Sequence, residues 1–136
     1  MVRYLLVAAM LALCPGLAMA DSWHGQIQCA VIPAFGAKPL FGAFDLTAKG
    51  DQLAYSRPVH VSDSADLSGV MENGEGTAAN GQIVLQGRAS GPGYSYTARY
   101  QGPIQGNSAT LTGEQVWTGH RLSQPFHRAC AVTLSR

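Results

Sequence analysis

Charge is scarce in this sequence. Only 12% of its 136 residues are Asp, Glu, Lys or Arg, and the formal net charge is +1. There is no basic run, so the electrostatic footprint of a nucleic-acid-binding surface is missing. Long Ala/Leu/Glu/Lys stretches at a period of 3.6 are absent beyond residue 21, which argues against a helical fold. Cysteine is rare, three in all. None is spaced C-x-x-C, the pattern of a redox-active or zinc-binding pair.

Catalytic and cofactor signatures are equally thin. No G-x-S-x-G is present, and the glycines mark hairpins rather than a phosphate-cradling loop. The four histidines, His24, His60, His120 and His127, form no H-x-x-x-H. His24 and His127 share outward parity on the first and last strands, with His120 on a nearby loop. A surface metal site is one reading of that trio, and exposed imidazoles are the ordinary one. Asp63, Asp66, Glu72 and Glu75 fall in a loop-rich stretch, but their spacing matches no calcium-binding repeat. They read as a solvated acidic loop. The expectation is a non-enzyme with no cofactor and no metal.

What is present begins with a leader. Arg3 supplies a positive start, residues 5–13 are apolar, Pro15-Gly16 breaks the run, and Ala18-Met19-Ala20 fits a signal-peptidase site. Cleavage is expected after Ala20. Cys14 reads as a discarded leader residue, because Leu13 is too large for a lipoprotein cleavage pocket. The mature chain, residues 21–136, is one domain of 116 residues with eight basic and eight acidic side chains. No later apolar run is long enough to span a bilayer as a helix. A periplasmic or secreted location is expected.

Export makes the two remaining cysteines, Cys29 and Cys130, a disulfide candidate. Turn signals recur about every twelve residues between alternating runs, the rhythm of an antiparallel all-β domain. Strands are predicted over 23–32, 40–48, 53–61, 70–79, 82–89, 94–101, 109–117 and 126–135. Gly50-Asp51 and Asn80-Gly81 are two-residue hairpin turns. Pro58 marks an edge or bulge, and residues 62–67 read as a loop.

Eight strands in a meander can hide their edges by closing into an up-and-down, calycin-like barrel. Closure sets the first strand beside the last, so the Cys29–Cys130 bridge would pin the seam. A β-sandwich, with the same bridge between two sheets, is the alternative architecture.

Trp23, Tyr55, Tyr94, Tyr96, Tyr100 and Trp117 fall on inward positions, with Arg57 in phase. Gly25, Gly42, Gly87, Ala98 and Gly113 share those faces. Either the rings are the core, or the small residues leave a cavity that the rings line.

Trp23-His24-Gly25, together with Leu111-Thr112-Gly113 and Trp117, resembles the opening and strand motifs of avidin- and lipocalin-type barrels. The lipocalin order Gly-x-Trp is reversed here, and no binding residue carries over. Two functions are expected from the residues: a binding module holding a small apolar or amphipathic ligand, or a protein-interaction module of the bacterial envelope. The second, as hydrolase inhibitor or accessory subunit, would use loop 32–40 or loop 118–125. The sequence leaves the oligomeric state open.

Overall fold

A computed structural model describes residues 22–35, 39–62 and 65–136, the side chains of 60–68 excepted. The expected signal peptide, residues 1–20 with Cys14, lies outside the described residues, as do Asp63 and the side chains of His60 and Asp66.

The strands are β1 (Ser22–Cys29), β2 (Leu40–Lys49), β3 (Gln52–Ser62), β4 (Ala65–Ala79), β5 (Gln82–Gly91), β6 (Tyr94–Gln105), β7 (Ser108–Gly119) and β8 (Phe126–Ser135). Each pairs with its neighbours in sequence, and β1 pairs with β8, so the sheet closes into a barrel. The sandwich alternative is thereby excluded. Alternation drives the closure: every strand carries an apolar or small inward set and a polar outward set. On β6, Tyr94, Tyr96, Ala98 and Tyr100 are buried, while Thr97 and Arg99 are exposed.

Cys29 and Cys130 stand directly opposite each other on β1 and β8, with Cα atoms 4.1 Å apart, and are bonded. The bridge joins positions 101 residues apart, across the one pairing that links the two ends of the chain. Asn80 and Gly81 both have positive φ, 55° and 73°. This is the requirement of the type I′ turn their sequence announces.

The region around the β3–β4 connection differs from expectation. Residues 62–67 are not one loop: β3 runs through Ser62 and β4 begins at Ala65. Two register shifts, between Pro58 and His60 and between His60 and Ser62, extend the ladder past a stretch with no clear alternation. The β2–β3 seam is short. Only Thr47, Ala48 and Lys49 pair, with Ala54, Leu53 and Gln52, before the strands part. Pro58 lies on the parted section of β3, where its missing N–H costs no ladder bond toward β2.

The barrel's two ends differ. At one, two-residue turns join β2–β3, β4–β5 and β6–β7, beside the start of β1 and the end of β8. The other, the loop end, carries the long β1–β2 and β7–β8 connections and the tight Pro92–Gly93 turn. His24 and His127 both face outward, but the register separates them. His24 sits opposite Ser135, and His127 lies beyond the Cys29–Cys130 pair. Each meets an acid instead: His24 with Asp45 at 3.0 Å, and His127 with Glu114 at 3.2 Å.

Replacing Cys130 with serine should lower stability by up to about 4–5 kcal/mol, the chain-entropy value for a loop of this length. Urea unfolding with and without reductant measures it. An identical midpoint in both conditions would count against a bridge in solution.

Candidate functional site

β4 carries the residue that organises the interior. Glu72 lies between exposed Met71 and Asn73, and its side chain points into the barrel with 0% exposure. A carboxylate there must be paired and fully hydrogen-bonded, because burial of a lone charge is prohibitive. Strands β3 and β6 supply the close partners, and β7 adds a longer contact. Arg57, directly opposite on β3, donates from Nη1 to Oε2 at 2.7 Å. The Tyr96 hydroxyl donates to the same oxygen at 2.6 Å. Oε1 accepts from Tyr55 at 2.7 Å and from Tyr100 at 3.0 Å.

Gln115 on β7 completes the network. Its Nε2 donates to the Tyr100 hydroxyl at 2.9 Å, with a long contact of 3.5 Å to Glu72. Its Oε1 accepts the Trp117 indole N–H at 3.0 Å.

Gly74 and Gly87, directly opposite on β4 and β5, make the network possible. A Cβ on either would fall 2.2 Å from a Tyr55 atom. The Tyr55 ring therefore fills space that two side chains would otherwise take. Phe44 packs against Tyr55 and Tyr100, at centroid distances of 4.6 and 5.7 Å. The middle of the barrel axis is thus occupied by its own side chains.

This environment raises the Tyr55, Tyr96 and Tyr100 phenols far above their ordinary range, first by burial and then by the Glu72 charge. For Arg57, burial works to lower the guanidinium, but Glu72 and the surrounding hydroxyls reverse it, and the net direction is up.

Toward the loop end the interior becomes aromatic. Trp117 stacks against Tyr96 at 4.3 Å and Tyr94 at 5.2 Å, and Phe35 from the β1–β2 loop approaches it at 6.0 Å. Arg128, inward on β8 and 1% exposed, places Cζ 5.9 Å from the Trp117 ring centroid. Its Nε donates to the Ala30 carbonyl at 2.6 Å. Nη1 and Nη2 of Arg128, Nε of Arg57 and the Tyr94 hydroxyl are buried without a hydrogen-bond partner. Burial lowers the Arg128 guanidinium to about 10, with Arg57 acting in the same direction.

Comparison with known families, curated proteins and solved structures returns no match to this chain.

The seven residues singled out in the sequence divide into three groups. Tyr55, Arg57, Tyr96 and Tyr100 meet on Glu72. Tyr94 and Trp117 stack at the loop end. Trp23 lies at the turn end beneath Arg136, whose Cζ is 4.5 Å from its ring centroid, apart from both groups. The reading of Glu72 as part of a solvated acidic loop is overturned: it is the hub of the interior, while Glu75 on the same strand is exposed. Gln115 and Arg128 were also missed as site residues. The available signal was parity, since Gln115 alternates with Trp117, and Arg128 with Cys130.

Two outcomes follow. Glu72→Ala should cost about 3–5 kcal/mol, because it strands the Arg57 charge. The double substitution Glu72→Met with Arg57→Met should recover part of that loss; strictly additive losses in denaturant unfolding would contradict the pairing. The second concerns alkali. Phenols raised in the fold keep their full stabilising effect below the unfolded value of about 10 and lose it as pH climbs above. Arg128 acts in the opposite sense, its lowered value relieving a penalty above about 10, but three phenols outweigh one guanidinium. Phenolate absorbance should therefore appear together with loss of the β-sheet signal. Phenolate from these three tyrosines in an intact barrel near pH 10 would refute the network.

Proposed function

We propose that this chain is an exported, non-catalytic binding module of the bacterial envelope, and that it takes a small apolar or amphipathic ligand at the loop end of the barrel. The observation that carries the reading is the division of the interior. The Glu72 network fills the middle of the axis, whereas the stacked aromatic tier of Tyr94, Tyr96, Trp117 and Phe35 lies beneath the long connections. Aromatic faces with a few polar tips suit a ligand that is mostly apolar. The Arg57–Glu72 pair does not favour catalysis, since its members are 4% and 0% exposed and a substrate would have to enter the packed core to reach them. The leader motif and the disulfide support passage through an oxidising compartment.

One further surface favours the protein-interaction reading. An open trough of about 900 Å³ crosses the outer faces of β4 to β7, lined by Asn73, Glu75, Gln86, Arg88, Arg99 and Glu114 among others. A mixed-charge trough on a rigid, bridged scaffold suits a polar protein partner.

Native mass spectrometry of the chain taken from the envelope fraction of its own cell separates the two. An added mass of a few hundred daltons, lost on denaturation, is the result expected for a ligand-holding barrel. A mass equal to the chain plus a second polypeptide would move the function to the trough. A bare chain whose Trp117 fluorescence ignores apolar and amphipathic probes would overturn the ligand reading.

A further inference from the structure

We propose that Arg128 anchors a monoanion site at the loop end of the barrel, built for a carboxylate. This rests on the reading that the ligand is taken at that end, and it names the ligand's chemical class.

A guanidinium offers five N–H groups in a planar fork. In Arg128 the Nε group is committed to the Ala30 carbonyl, and both Nη nitrogens, with four N–H groups, have no acceptor. The side chain is 1% exposed, so water does not take the acceptor's place at the surface. Arg57 shows how the same barrel treats a guanidinium that has a partner: it is set 2.7 Å from a carboxylate oxygen. Glu72 cannot serve both. Its Oε1 takes two hydroxyls, and its Oε2 takes Arg57 and Tyr96.

The described interior therefore holds two guanidinium groups and one carboxylate. The excess is one positive charge, which a monoanion matches and a dianion would overshoot. Two unpaired Nη groups in one plane suit the two oxygens of a carboxylate.

The surroundings extend the match. Trp117 lies beside Arg128, and Tyr94, stacked on Trp117, carries a buried hydroxyl that lacks a partner. Among the described residues, three of the four unpartnered buried atoms, on Arg128 and Tyr94, lie toward the loop end, and the fourth is Nε of Arg57 in the middle of the barrel. An anionic head beside Arg128 with an apolar body along Trp117 and Phe35 would use these groups together. The shared chemistry is a single negative charge, and it can come from a ligand's carboxylate or from a free inorganic monoanion.

The test uses the oxidised mature chain with Trp23→Phe, which leaves Trp117 as the reporting indole, in chloride-free buffer. Octanoate, octanamide and sodium chloride are titrated separately while Trp117 fluorescence and Tm are followed. Octanoate is expected to shift both and to bind at least tenfold more tightly than octanamide. Arg128→Gln should lose at least tenfold of that affinity. Tyr94→Phe, which deletes only a hydroxyl, should lose a few-fold and keeps the test open if Arg128→Gln does not fold. Chloride alone raising Tm as octanoate does would identify an inorganic monoanion as the source. Octanamide binding as tightly as octanoate, or an unchanged octanoate affinity in both variants, would overturn the anion site and leave loop-end binding standing. No response of Trp117 to any of the three would overturn both.

Discussion

A single buried carboxylate governs the interior of this barrel. Glu72 has no exposure, so its charge persists only with Arg57 and the hydroxyls of Tyr55, Tyr96 and Tyr100 in place. Each donor comes from a strand whose position is fixed by the closed ladder. The network thus requires the barrel, and it ties β3, β4, β6 and β7 together across the axis. Apolar side chains alone could fill the same volume in many ways. Directional bonds to one carboxylate favour one arrangement, a specifying role that buried polar groups hold in some proteins.

The same carboxylate sets the limits on function. The network and the Tyr55 ring over Gly74 and Gly87 fill the middle of the axis with the protein's own side chains. What remains is a graded interior: apolar at the turn end around Trp23, polar in the middle, and aromatic and cationic toward the loops. The two arginines embody the contrast. Arg57 is neutralised from within the protein, whereas Arg128 is held by one carbonyl and otherwise left with unmet donors. A buried donor without an acceptor is costly, so the two guanidinium groups differ in how far the fold satisfies them.

The wall is uneven in the same direction. β1 and β8 are locked by the disulfide near the loop end, while β2 and β3 pair only close to their turn and then part. Phe41, 66% exposed, lies on the parted length of β2. Rigidity and looseness therefore meet at the loop end, where the two long connections also lie.

The sequence by itself determined the number and order of the strands, their parity, the hairpin turns and the bridge, but not the extent of β3 and β4 around residues 62–67. Each of these depends on local chemistry: alternation of apolar and polar residues, Asn-Gly at positive φ, and an even cysteine pair on the first and last strands. It also placed Tyr55, Arg57, Tyr94, Tyr96, Tyr100 and Trp117 on the inner face. Only the tertiary structure decided what Glu72, Gln115 and Arg128 do. Alternation reports which face a residue occupies, but not whether a polar residue there will find partners. The partners of Glu72 lie 15 to 43 residues away along the chain and reach it from the adjacent β3 and from β6 and β7 across the barrel. A glutamate in a glycine-rich stretch reads as exposed until the closed sheet brings those donors to it, and an arginine near the C-terminus reads as ordinary until closure buries it without an acid.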